Sequence, residues 1–280
     1  MLVNHAFFYA RDTPHPSPLP VEGEGDRRKL DISSLGGRVL IYRLHMNYRH
    51  AHLLKGFVEE YIATGKPVGS ERLLEVLDVP VSSATIRSML RLLEDEGYIM
   101  QPHKSAGRVL TDKGYRYYID QLSFKEPSEK KVRELTDTYR EYQEEYERPA
   151  RAAAKMLAEL AHVMAVGGWM HDKDIQGAGM SQVFEEESGE NQETAREISY
   201  LLDNIERYAH EFADTSSNAV TVYIGSENPI FETEHTSMIV KTMRLPTGET
   251  ALLLLAGPKR MPYKRNVALL NALSSIIERI

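Results

Sequence analysis

Apolar residues first recur at helical spacing in Leu53, Leu54, Phe57, Val58, Tyr61 and Ile62, which predicts a helix over Asn47 to Thr64. Gly65 stops it and Pro67 prevents its resumption. Ser70 offers a capping hydroxyl to a short helix reaching about Leu77, with Leu73, Leu74 and Leu77 inward. Asp78-Val79-Pro80-Val81 reads as a tight turn. Ser82 or Ser83 then caps a helix whose inward face is Ile86, Met89, Leu90 and Leu93, and Glu94 to Gly97 end it. Tyr98 to Met100 alternates as a strand does, and Arg108 to Leu110 can pair with it across a loop around Pro102 to Gly107. Thr111 caps a helix over Asp112 to Leu122. Asp112 suits the dipole of its first turn, and Tyr115, Tyr118 and Leu122 are placed to pack on the first helix.

The pattern changes after Phe124. Phe124 to Glu147 is highly charged, with Leu135, Tyr139, Tyr142 and Tyr146 on one helical stripe, which predicts a solvated connecting helix. Pro149 marks a new first turn, and Ala150 to His162 is strongly helical. Val163 to Met170 is strand-prone, with Trp169 in the core; Phe184 to Gly189 reads as an acidic loop. Asn191 to Phe212 reads as one amphipathic helix. Strand-like runs at Ala219 to Ile224, Ser237 to Leu245 and Glu249 to Ala256 precede a closing helix over Tyr263 to Ile280. A helix, three successive strands and a helix fit an α+β layer with a mainly antiparallel sheet. The Pro-rich and Gly-bearing stretch before His45 sustains neither helix nor central strand. The expected organisation is therefore a leader at 1–45 with Met46 as the natural start, a first domain at 46–122, connecting helices at 123–162 and an α+β domain at 163–280.

Composition narrows the chemistry. The chain has no cysteine, which excludes disulfides, thiolate metal sites and cysteine nucleophiles and suits a reducing cytoplasm. No run approaches the roughly 18 apolar residues of a membrane span, and Ala6 to Ala10 is too short an apolar patch for a signal peptide. No Ser-His-Asp order, phosphate loop or metal spacing occurs, so no enzyme, cofactor or metal is expected. His50 and His52 are two apart and point to different helix faces. The net charge is −7, yet Lys104, Arg108, Lys113 and Arg116 stand together against Asp112 alone. The acid lies elsewhere, in Glu141 to Glu147 and Glu185 to Glu190.

A helix, a short helix, a turn and a second helix make a helix-turn-helix, and the hairpin after it makes a wing. The start of the second helix then faces the major groove of duplex DNA. It offers Ser82, Ser83, Thr85, Arg87, Ser88 and Arg91: small hydroxyls that permit close approach and arginines that bond guanine or phosphate. The wing offers His103, Lys104, Ser105 and Arg108 toward backbone or minor groove, and Lys113 follows it. Near the end, Lys259, Arg260, Lys264 and Arg265 flank a helix start. There a structural turn competes with binding of a small anion or a partner's carboxylate.

The stretches Tyr61 to Ser70, Ser82 to Arg87, Gln101-Pro-His-Lys-Ser-Ala-Gly-Arg108 and Thr111-Asp-Lys-Gly-Tyr-Arg116 closely resemble the winged-helix domain of the HrcA family. Val222-Tyr-Ile-Gly-Ser-Glu-Asn228 and Gly257-Pro-Lys-Arg-Met-Pro-Tyr263 resemble the last part of that family's GAF-like regulatory domain. The resemblance implies a dimeric repressor of chaperone genes that binds an inverted-repeat operator and is kept active by a GroEL-type chaperonin. Two departures stand out. Leu110 replaces the family's usual proline, which predicts a longer second wing strand. The chain between Val166 and Asn191 is several dozen residues shorter than the family leads one to expect. The alternative reading is a winged-helix protein-interaction module with a small-molecule-sensing C-terminal domain.

Overall fold

The computed structural model describes residues 48–77, 81–104, 106–124, 127–171, 173–184, 190–214, 219–228, 230 and 232–279. The expectations for the leader, for Met46, for most of the turn after Leu77 and for the acidic loop beyond Phe184 lie outside the described residues.

The first half contains helices α1 (Tyr48–Thr64), α2 (Ser70–Leu77) and α3 (Ser83–Asp95), strands β1 (Ile99–Met100) and β2 (Val109–Leu110), and helix α4 (Asp112–Gln121). Ile99 pairs with Leu110 and Met100 with Val109, antiparallel. The helical spacing selects its own core: Leu54, Phe57, Val58, Leu73, Ile86, Leu90, Leu93 and Tyr115 are all buried in one cluster. Each such side chain contributes roughly 1.5–3 kcal/mol on burial. Two local expectations differ. Ser70 lies inside the first turn of α2, and the Gly69 carbonyl accepts its first helical bond from Leu73 N. Leu110 does not lengthen the second strand, which has only two residues.

Helices α5 (Glu129–Glu145) and α6 (Pro149–Ala161) follow. Ser128 caps α5 by accepting from Lys131 N, and α5 buries Leu135 and Tyr139 while its charged faces stay wet. Pro149 stands in the first turn of α6, whose buried alanines bring it close to the sheet.

Five strands, β3 (Met164–Trp169), β4 (Asp174–Ala178), β5 (Thr221–Ile224), β6 (Thr236–Arg244) and β7 (Thr250–Pro258), form one sheet in the order β4-β3-β7-β6-β5. Every neighbouring pair is antiparallel. The short helix α7 (Met180–Phe184) and helices α8 (Glu190–Asp203) and α9 (Ile205–Asp214) intervene, and α10 (Tyr263–Ile277) closes the chain. Alternation decides the layers. Leu253 and Leu255 of β7 face the cluster holding α6 and α10, whereas Leu252 and Leu254 face Ile198, Leu201 and Phe212 of α8 and α9. With both faces covered, β7 reads as a continuous apolar run. The protein is thus a mixed helix-and-strand fold with an antiparallel sheet between helical layers.

The sheet also corrects the sequence reading. Strand β4 and helix α7 are additional elements. The single helix expected over Asn191 to Phe212 is two, separated at Asn204. There the side-chain amide donates to Tyr200 O at 2.9 Å and the backbone N–H to Leu201 O at 3.2 Å. An asparagine able to bond the preceding turn competes with helix propagation. Trp169 is buried. Among the described residues, no helix is long and apolar enough to cross a membrane.

Candidate nucleic-acid interface

Helix α3 is fixed at both ends by its own sequence. Ser82 is extended, and its Oγ accepts the Thr85 N–H at 3.1 Å. The two hydroxyls lie 3.0 Å apart. At the other end Gly97 adopts φ +75°, a conformation glycine takes without a Cβ penalty. Its N–H reaches Glu94 O and that of Tyr98 reaches Leu93 O, both at 2.9 Å, a Schellman closure that aims the chain into β1. Because Ile86, Leu90 and Leu93 face the core, the 3.6-residue period puts Ala84, Arg87, Ser88 and Arg91 on the opposite, exposed stripe. Thr85 is exposed beside them, and Ser83 accepts from Arg87 Nη2 at 3.0 Å.

The loop between β1 and β2 is closed by its own residues. Gln101 Nε2 donates to Ala106 O at 2.8 Å and to Lys104 O at 3.3 Å, and Ala106 N donates to His103 O. His103 and Lys104 are exposed at its tip; Ser105 lies outside the described residues. On the return, Val68 and Arg108 exchange backbone hydrogen bonds at 2.8 and 2.9 Å. A Cβ on Gly107 would lie 2.7 Å from the Pro67 carbonyl, so only glycine permits this approach without a shift.

The cations that the sequence groups as one island separate in space. Of these, Lys104 faces solvent, as Arg87 and Arg91 of α3 do. Arg108 is mostly buried, at 16% exposure, and its Nε donates to Glu94 Oε2 at 3.0 Å, tying the loop to α3. Lys113 donates to the Glu96 carbonyl at 2.6 Å and stands 4.4 Å from the Tyr98 ring centroid. It therefore secures the C-terminal end of α3.

Arg116 turns the other way, toward the sheet. Its Nε donates to Glu227 Oε1 at 3.0 Å and its Nη2 to Val222 O at 2.6 Å. Burial lowers its pKa, but pairing with Glu227 outweighs that and the net direction is upward. Next to it, Lys259 Nζ donates to Asp112 Oδ1 at 2.6 Å, and the Tyr115 and Tyr263 rings meet edge to face at 6.2 Å. The fully buried Tyr263 hydroxyl lies 2.8 Å from Ser237 Oγ, and burial pushes its pKa up. Three stretches that attract attention separately in the sequence, Thr111 to Arg116, Val222 to Asn228 and Gly257 to Tyr263, thus meet in one docking contact. No sequence signal pairs Asp112 with a lysine 147 positions away. Of the cations flanking the start of α10, Lys259 takes up a carboxylate from the same chain and Arg265 donates to Leu160 O. Among the described residues no group of His, Asp or Glu is arranged to hold a metal.

Residues 118–267, just over half of the chain, match the family model described as the HrcA protein C-terminal domain. The chain is similar to a heat-inducible transcription repressor HrcA of Arthrobacter sp. (strain FB24), 40% identical over 123 residues, covering 44% of this chain and 36% of that protein. A repressor of the same name from Frankia casuarinae is 39% identical over 118 residues, 42% of this chain and 35% of that protein. The chain thus spans about a third of the length of these curated relatives. A protein described as hypothetical, with a crystal structure at 2.2 Å, superposes with a TM-score of 0.63 at 20% identity, covering 84% of this chain and 99% of that one. That likeness speaks for a shared fold.

Proposed function

This chain belongs to the HrcA family, and we propose from that premise that it is a sequence-specific DNA-binding repressor of heat-shock (chaperone) genes. In this reading residues 46–122 are a winged-helix reader, 123–162 connect, and 163–280 are a GAF-like regulatory and dimerisation domain. Two copies would sit on an inverted repeat in the cytoplasm, each reading one half-site.

The observation that carries the proposal is the exposed stripe of α3. Ser82, Ser83, Thr85 and Ser88 give short side chains that let a helix approach base edges, and Arg87 and Arg91 supply forked donors for guanine or phosphate. The bond from Arg87 to Ser83 Oγ is one that a phosphate or a guanine edge replaces without leaving a buried group unpaired. His103 and Lys104 stand exposed at the wing tip, and they and Ser105 are the proposed wing contacts. Arg108 and Lys113 act one step back, holding the wing and the end of α3 through Glu94 and the Glu96 carbonyl. The contact of Asp112 and Arg116 with Lys259 and Glu227 gives the regulatory half a direct hold on the reader, through which a GroEL-type chaperonin could act.

Fluorescence anisotropy on an inverted-repeat duplex from a chaperone operon, with a scrambled duplex beside it, tests the reading. The expected result is a preference of about 10³ or more for the true site. Equal, weak binding to both duplexes, with chaperonin present and absent, would overturn it.

A further inference from the structure

On the face of the sheet turned toward α5 and α10, strand β6 presents Ser237, Ile239, Lys241 and Met243. Three of these suit a covered surface, and Ile239 and Met243 are fully packed. Lys241 is the exception, a half-buried cation on an otherwise uncharged strand face. Among the described residues its ammonium has one hydrogen bond, to Asn271 Oδ1 at 3.1 Å. An ammonium carries three donors, and burial lowers its pKa while Glu278 partly restores it. Packing alone gives no reason for a lysine here, because a methionine would fill the same place.

The ammonium opens into a cavity of about 710 Å³ between β6, α5 and α10. Arg133 of α5 and Arg279, just past the end of α10, line the same cavity, with Ser275 and Asn271 adding polar groups. Two acids are near. Glu129 is 96% exposed and pairs with Arg133 only at 4.0 Å, and Glu278 stands close enough to raise Lys241. The wall thus carries three cations, two uncharged polar side chains and one carboxylate beside three apolar residues. Phe124 and Pro127 border the opening, between the end of α4 and the start of α5.

We propose that this cavity is a binding site for a small phosphorylated anion, held by Lys241, Arg133 and Arg279 with Ser275 and Asn271 orienting it. A compact ammonium and two forked guanidiniums suit several anionic oxygens at once, which a phosphate supplies and a single carboxylate does not. The volume lies within the range of small-molecule sites, roughly 300–1,000 Å³, and exceeds what a bare phosphate needs. The bound group would also touch Phe124 and Pro127, which links its occupancy to the connection between reader and sheet. The site is independent of the DNA-reading face and stands whether or not the chain is a repressor.

Isothermal titration calorimetry of the full chain with pyrophosphate and with ADP, at constant ionic strength and with acetate as control, tests the proposal. Saturable binding of a phosphate compound and none of acetate is expected. Binding of both phosphate compounds identifies the polyphosphate as sufficient, and binding of ADP alone identifies a nucleotide. Lys241→Met should weaken binding about tenfold or more, as loss of a charge-assisted bond does, while leaving the circular dichroism unchanged. Arg279→Gln, at an exposed position, gives the same readout should Lys241→Met fail to fold. Lys130→Met, 86% exposed on α5, should bind as the parent does. No saturable binding, or equal binding by the parent and both site variants, would overturn the proposal.

Discussion

Helices α3 and α4 both carry basic residues, and they use them in opposite ways. On α3, Arg87 and Arg91 project from the face opposite the core. On α4, Lys113 and Arg116 are engaged with the protein's own oxygens, the Glu96 carbonyl on one side and Glu227 with the Val222 carbonyl on the other. A cation bonded to a carboxylate or a backbone carbonyl is less available to a ligand than one bonded only to a side-chain hydroxyl, as Arg87 is to Ser83. The same comparison holds within the hairpin, where Lys104 is exposed and Arg108 is paired with Glu94.

The contrast can be tested by effects of decreasing size. If the exposed cations of α3 and the wing contact phosphate in a dimer, roughly 6–10 contacts form, and affinity should fall about 10³–10⁵-fold between 50 and 200 mM salt. A flat anisotropy series over that range would break the comparison on its open side. Arg87→Ala should then cost about 1–3 kcal/mol in DNA binding with the melting temperature unchanged. Arg116→Ala should do the reverse. Its side chain is 30% exposed, so after allowance for screening the loss is about 1–2 kcal/mol of stability, a melting temperature lower by a few degrees. Equal effects of the two substitutions on melting would remove the distinction between the helices.

Smaller effects sharpen it. Lys104→Ala should reduce the slope of log affinity against log salt by about 1, and Lys113→Ala should leave that slope unchanged. The finest test concerns Asp120, whose pKa is raised because burial outweighs its contact with Arg116. The folded chain then holds this proton more tightly than the unfolded chain does. Stability therefore falls as pH rises through the window that opens at the ordinary value of 3.8. Asp120→Asn should melt slightly higher than the parent at pH 7, and the gap should close below that window. A gap of the same size at every pH would assign the effect to packing instead.

Much of this arrangement is legible in the sequence wherever the cause is local. Ser82, Gly97 and Thr111 mark helix ends because their chemistry acts within four residues. Ile86, Leu90 and Leu93 announce the buried side of α3 and, by subtraction, the open one. What escapes is non-local or weakly patterned. Asp174-Ile-Gln-Gly-Ala178 has no alternation and is a strand only because β3 pairs with it. Asn204 interrupts a helix without the help of glycine or proline. Arg108 and Lys113 find their oxygens 14 and 17 positions away, and Arg116 finds Glu227 111 positions away. No reading of a basic run can anticipate partners at those separations.

The strand order has a consequence for how a chain of this kind varies in length. The stretch between Val166 and Asn191, where the family resemblance leads one to expect several dozen more residues, leaves the sheet at β4, its terminal strand. Helix α4 docks at the other edge, on β5 and the turn after it, four strand spacings or roughly 19 Å away. Growth at the β4 edge adds to a border, and loss there trims one. Neither change passes through Arg116 or Asp112. A change in length at the far edge would therefore act as an appendage and leave the joint at Asp112 and Arg116 untouched.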